Sequence, residues 1–290
     1  KLSCGVLRLK MEISLYSMLL LLVYTVSYVG ILYTPYCTRY ARNTEIGCAR
    51  RTVAISLVTC AICGWTWLQE IGSYGWSTWS LPLMFMKGVS MTVVMYVPTL
   101  IKQAHLGYLR CGADIVEILQ FLRHYFMDLQ GCFAVRNYIH GPVTEELVFR
   151  YAAVQALLSM KSGWPAVNVS ISETVVVILL PSLLFALAHG HHCYRVLRFE
   201  RQGEDMDVTQ AIMATVFQMV YTLLFGIYSG WLYVRLGTVL APIGAHVTCN
   251  ILGLPDLSFF VEYPDPKVRV LLIGSLMFSI ILFILFLLRL

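Results

Sequence analysis

Apolar blocks long enough to cross a lipid bilayer, each almost free of charge, constrain this chain more than any other feature of its sequence. Eight can be drawn, at about 14–33, 52–72, 82–101, 142–160, 172–190, 208–234, 239–254 and 268–290. A hydrocarbon core of about 30 Å takes roughly 20 helical residues to cross. Only helices and closed barrels satisfy their backbone polar groups in lipid, and these runs lack the alternating pattern of barrel strands. The chain is therefore expected to be all-α and polytopic, a bundle of about eight transmembrane helices. With 58% hydrophobic and only 13% charged residues over 290 positions, a soluble globule is excluded. No repeat, low-complexity stretch or linker divides it, so 1–290 is read as a single transmembrane domain. Nothing before residue 14 resembles a cleavable leader, and the first apolar block is expected to stay in the mature protein.

Between the third and fourth blocks, Ile115, Ile118, Leu119, Leu122 and Phe126 recur at helical spacing. The stretch Asp114 to Arg136 is expected to form an amphipathic helix at the membrane surface. The net charge of +5 is small, and its basic residues sit between apolar blocks, a pattern suited to anionic lipid head groups and not to nucleic acid. The connections after blocks one, three, five and seven carry 13 Lys and Arg, among them Arg39, Arg42, Arg50, Arg51, Lys102, Arg110, Arg123 and Arg136, against 6 on the opposite side. The positive-inside rule makes those odd-numbered connections cytosolic. The nine cysteines are scattered, and Cys60 and Cys63 form a CxxC inside an apolar run with no second pair nearby; they are expected to be reduced and mostly inert.

Ionisable residues inside the blocks carry the functional information, because each is costly in lipid. Lys87 and Glu70 lie near block ends, where their heads can reach the interface. The others fall into clusters. In Gly141-Pro142-Val143-Thr144-Glu145-Glu146-Leu147-Val148-Phe149-Arg150, Pro142 suits a first helical position, which places both carboxylates in the opening turns, where the helix dipole favours them. Glu146 and Arg150 share a face at i, i+4 and are expected to pair, whereas Glu145 points about 100° away with no partner at that spacing. An unpaired carboxylate beside a paired one has the form of a general base, although both glutamates would also serve as N-terminal charges of an ordinary helix. His189 closes an apolar run, while His191 and His192 enter a basic loop and read as interfacial. His246 and Asn250, again i, i+4, present two polar groups on one face, as a helix–helix hydrogen bond also would. Glu145, His189 and Asn250 should all lie toward the face of the odd-numbered connections. A carboxylate, two imidazoles and an amide suit activation of water for attack on a carbonyl, with the oxyanion held by an imidazole or by Asn250. Glu145, His189 and His246 would equally make a hydrolytic zinc set, although no HExxH is present.

The stretches 141–150, Phe185-Ala186-Leu187-Ala188-His189 and His246-Val247-Thr248-Cys249-Asn250, in this order, resemble the EExxxR, FxxxH and HxxxN motifs of the type-II CAAX prenyl endopeptidases, within the wider family of intramembrane glutamate proteases and bacteriocin-processing relatives. Leu197-Arg198-Phe199-Glu200-Arg201 and Gly226-Ile227-Tyr228-Ser229-Gly230 resemble the eukaryotic branch, and the recognisable region is about 141–256. The resemblance implies an endopeptidase of the endoplasmic reticulum membrane. Its substrates would be farnesylated or geranylgeranylated CaaX proteins such as small GTPases, from which it would remove the last three residues at the cytosolic face. By the same resemblance, Glu145 helped by His189 would activate water, and His246 and Asn250 would form the oxyanion hole. Glu146 and Arg150 would support the geometry, and no metal or other cofactor would be needed.

Overall fold

The computed structural model describes residues 15–69, 81–112, 114–126, 130–158, 171–195, 208–261 and 263–290. Among these residues every regular element is helical. The principal helices are α1 (Leu15–Gly30), α2 (Glu45–Gln69), α3 (Leu81–Cys111), α4 (Ile115–Phe126), α5 (131–158), α6 (Ile171–Ala188), α7 (Val208–Leu236), α8 (Leu240–Leu252) and α9 (Pro266–Arg289). Six helical stretches are long and apolar enough to cross a membrane, beginning at Leu15, Glu45, Leu81, Glu173, Val208 and Pro266. Their exposed faces are rows of Leu, Ile, Val and Phe, such as Ile212, Met213, Val216, Phe217, Val220 and Leu224 on α7, as lipid contact requires. Each expected block has a helix, so the polytopic all-α architecture is borne out. Glu70, the 197–201 stretch and the region before residue 15 lie outside the described residues.

Two expectations near the middle of the chain are corrected. The surface helix ends at Phe126 instead of Arg136, and α5 begins at residue 131 instead of Pro142. Glu145 and Glu146 are therefore mid-helix, roughly 20 Å along α5 at 1.5 Å per residue, and not in an opening turn. In sequence Pro142 reads as a helix start, because an interior proline ordinarily clashes with the carbonyl four residues back. Here the preceding turn, Val135–His140, is π-helical, and this wider winding carries the helix through the proline. A second π-helical turn, Leu147–Ala152, follows the glutamates.

From Val148 to Leu158 every residue of α5 except Tyr151 is buried, which makes it the central post of the bundle. Leu21, Tyr24 and Tyr28 of α1, Ile62 of α2, Val177 and Phe185 of α6 and Tyr233 of α7 pack around it. The short α8 is buried from Ala241 to His246. Glycines let it approach α3 closely: a Cβ on Gly88 would stand 1.9 Å from the Ala241 carbonyl oxygen, and one on Gly244 would stand 2.4 Å from that of Phe85. Close backbone approach through small residues is the usual way helices associate without a hydrophobic drive between them. On α7, a Cβ on Gly226 would stand 2.9 Å from Ser182 of α6, so these helices also meet backbone to backbone.

Cross-helix contacts fix which ends share a face. The Tyr33 hydroxyl, just after α1, donates to the His191 carbonyl just after α6 (3.2 Å). Cys48 in the first turn of α2 donates to the Cys132 carbonyl in the first turn of α5 (3.4 Å). Asn250 near the end of α8 donates to the Asn137 carbonyl (2.8 Å), and Tyr96 of α3 donates to the carbonyl of Gly253 beyond α8. The connections after α1, α3, α6 and α8 thus lie together, at the face the sequence marks as rich in arginine.

Candidate active site

Glu146 anchors the site. Its side chain is fully buried, and its two oxygens are held differently. Oε1 accepts from His246 Nδ1 (2.8 Å). Oε2 lies 3.1 Å from Arg150 Nε and accepts from the Ser229 hydroxyl (2.5 Å). Arg150 Nε also lies 3.0 Å from Ser229 Oγ, and the guanidinium sits 4.5 Å over the Phe185 ring. The expected i, i+4 pair is therefore present, compensated by a hydroxyl from α7 and by the π-face of an aromatic ring from α6.

Glu145 takes the other direction around α5. Its side chain is 23% exposed, and its Oε2 lies 3.6 Å from His246 Nε2. Across the helices it therefore does have a neighbour. His246 stands between the two carboxylates: Nδ1–H donates to Glu146, so Nε2 is the nitrogen directed at Glu145. The imidazole is held laterally by Phe225 (4.7 Å between centroids) and Phe185 (6.0 Å). Thr144 and Tyr28 share a hydrogen bond of 2.9 Å, which fixes α1 against the turn that carries Glu145.

His189 follows the end of α6. Its Nδ1 donates to the Phe185 carbonyl (2.8 Å), and its ring stands edge-on to Phe185 at 4.9 Å. The two catalytic candidates His189 and His246 thus flank one aromatic ring, while Glu145, Glu146, Arg150 and His246 touch directly. His192, expected only at the interface, lies 5.5 Å from the His189 ring and pairs through Nδ1 with Gln218 of α7 (2.7 Å). Asn250, one turn beyond His246, is exposed and uses one amide hydrogen on Asn137. Its acceptor belongs to the π-helical turn, where the backbone pattern is shifted. Among the described residues, no three His, Cys, Asp or Glu side chains converge closely enough to hold a metal ion.

Ser229 is the member that residue-by-residue reading missed. It lies inside the quoted 226–230 stretch, but a serine in an apolar helix ordinarily bonds its own backbone. The available signal was its position between Gly226 and Gly230, whose missing side chains bring α7 close to α6.

Beyond α8, Lys102 of α3 makes an ion pair with Asp256 and donates to Ser258 Oγ (2.6 Å), while Thr99 accepts from the Asp256 backbone N–H (3.0 Å). Burial pushes the Asp256 carboxyl up, but hydrogen bonds from Lys102 and Ser258 outweigh it and hold the group below the usual carboxylate range. This loop fastens the end of α8 to α3.

A partly exposed carboxylate facing a histidine, which a buried ion pair orients inside a bundle of membrane-length helices, marks a polytopic membrane protein with ionisable side chains gathered in its interior. Residues 129–252 match the family model described as type II CAAX prenyl endopeptidase Rce1-like. Through this stretch, which is under half of its length, the chain is similar to that family. It is 26% identical over 255 residues to CAAX prenyl protease 2 of Homo sapiens, covering 83% of this chain and 71% of the relative. Identity to CAAX prenyl protease 2 of Arabidopsis thaliana is 37% over 122 residues, covering 42% of this chain and 35% of the relative. For the protein of that name from Caenorhabditis elegans it is 31% over 167 residues, covering 56% and 57%. The chain thus spans from about a third to under three quarters of the relatives' lengths. No solved structure matches it.

Proposed function

We propose that this chain is an intramembrane endopeptidase that removes the terminal aaX tripeptide from farnesylated or geranylgeranylated CaaX proteins. Small GTPases are the expected substrates, and the endoplasmic reticulum membrane the expected site, with cleavage at the cytosolic face. The observation that carries the reading is the division of labour between adjacent carboxylates. Glu146 is buried and fully engaged, whereas Glu145 is partly exposed and faces the Nε2 side of His246. A carboxylate left with free oxygen lone pairs beside an oriented imidazole is suited to take a proton from water.

In this mechanism Glu145 accepts the proton as the water oxygen bonds to the scissile carbonyl carbon. The negative charge that develops on the carbonyl oxygen is met by donors: the second amide hydrogen of Asn250 and, with a proton on Nε2, His246. Glu145 then returns its proton to the leaving nitrogen, the C–N bond breaks, and a carboxylic acid and an amine result. His189 Nε2, left over once Nδ1–H has bonded the Phe185 carbonyl, assists the water. Glu146, Arg150 and Ser229 keep His246 in one orientation. A lipid-anchored C-terminus arrives already held at the membrane surface, so an opening toward that surface receives chain and peptide together.

Cleavage of a farnesylated CaaX peptide by the purified protein in liposomes tests the proposal. Glu145→Ala should reduce kcat by about 100-fold or more, the range expected for losing a general base, with the melting transition retained. Full activity in that variant would exclude the role. Metal analysis of the active protein separates the readings further: near one zinc per chain would favour Glu145, His189 and His246 as ligands instead.

A further inference from the structure

We infer that Ser229 is a positioning residue for the reaction, acting through Glu146 on His246. The inference rests on the reading of Glu145 and His246 given under Proposed function. Ser229 is fully buried in α7, 83 residues from Glu146 in sequence, and its hydroxyl has two functions at once. It donates to Glu146 Oε2 at 2.5 Å and lies 3.0 Å from Arg150 Nε, which donates to it. Arg150 Nε has a single hydrogen, shared between Ser229 Oγ at 3.0 Å and Glu146 Oε2 at 3.1 Å. Without the hydroxyl, Oε2 would keep only that one nitrogen.

The consequence lies at the opposite oxygen. A carboxylate is a rigid planar group, so fixing Oε2 against α7 fixes Oε1, and Oε1 is the atom that holds His246 Nδ1 at 2.8 Å. That contact decides which nitrogen carries the proton and where Nε2 points. The terminal carboxylate torsion of glutamate is broad and roughly two-fold, so nothing intrinsic to Glu146 supplies this orientation. Its own helix cannot supply it either, since Glu146 and Arg150 both ride on α5 and would rotate together. Ser229 comes from a different helix, seated by the close approach of Gly226 and Gly230 to α6. It therefore references the histidine to the bundle as a whole. The serine does not touch the reacting atoms. Its loss should slow turnover without weakening substrate capture.

Ser229→Ala, Ser229→Thr and Glu145→Ala, compared in liposomes on a farnesylated CaaX peptide, test the inference. Misplacing a reacting group by about 1 Å costs about 100-fold in rate, so Ser229→Ala should lower kcat by about 10- to 100-fold and leave KM within about twofold. Ser229→Thr, which keeps the hydroxyl, should recover kcat to within about threefold of the wild type at a similar melting temperature. A folded Ser229→Ala with wild-type kcat overturns the inference, as does a folded Ser229→Thr that is no better than alanine. Should alanine abolish the melting transition, Ser229→Cys replaces it. Its weak S–H donor should give a kcat well below wild type in a folded protein, and full activity there overturns the inference. Glu145→Ala keeps the outcomes distinct: if it is inactive while Ser229→Ala is fully active, only the positioning role fails, whereas an active Glu145→Ala removes the underlying reading.

Discussion

At the scale of single residues, the site depends on two neighbouring glutamates having opposite surroundings. Glu146 is fully enclosed, with a cation, a hydroxyl and an imidazole around it, while Glu145 keeps part of its surface open. Breaking a buried pair by removing one partner leaves an uncompensated charge, an effect of about 3–5 kcal/mol. Arg150→Met should therefore destabilise the protein by about that amount and abolish activity together with it, because Glu146 would lose the guanidinium that partners its Oε2. Thermal unfolding in detergent, followed beside activity, checks this. A variant with unchanged melting temperature would mean that the arginine contributes nothing to the enclosed network. The contrast with Glu145→Ala, expected to lose activity and keep stability, is what separates a supporting ion pair from a reacting group.

At the scale of elements, the decisive piece is the loop that follows α8. Tyr96, Thr99 and Lys102 recur on one face of α3 and hold Gly253 and Asp256, so the end of the helix carrying Asn250 is tied to a neighbouring helix. Asp256 has a lowered folded-state carboxyl pKa. Its contribution to stability is therefore fully present above the unfolded value of about 3.9 and is lost as pH falls through the lower folded value. Melting temperature should drop in that acid window, and the part of the drop due to this loop should vanish in Asp256→Asn. An identical profile in wild type and variant would show that the clamp has no energetic weight. Periodicity and apolar length made α1 to α3 and α6 to α9 legible from sequence, and the i, i+4 spacing made the Glu146–Arg150 pair legible. The start of α5 was not, because Pro142 is locally a helix-initiating residue and only a π-helical turn lets the helix run through it. Ser229 and the Lys102–Asp256 clamp escaped for a related reason: each joins positions far apart in sequence, where spacing carries no information.

At the scale of the whole molecule, the arrangement of helix ends turns a sum of charges into a test. The connections after α1, α3, α6 and α8 share a face, and Asn250 and His189 lie toward it. Arginines from different elements gather there: Arg50 lies over the rings of Tyr36 and Tyr40, and Arg136 over that of Phe133. Each basic side chain near an anionic membrane surface contributes about 1 kcal/mol of attraction, so such a face should lie against the cytosolic leaflet. The aromatic contacts hold those charges at the interface. Under the proposed function the same face would receive the substrate, since a prenylated C-terminus is anchored in one leaflet and does not carry its peptide across the hydrocarbon. In sealed microsomes with the cytosolic surface outward, a farnesylated CaaX peptide added outside should be cleaved at once. Permeabilising the membrane should raise the rate by no more than about twofold, the correction expected for the minority of inverted vesicles. Activity that appears only after permeabilisation would place the site on the lumenal side, and the orientation read from the arginines would be reversed.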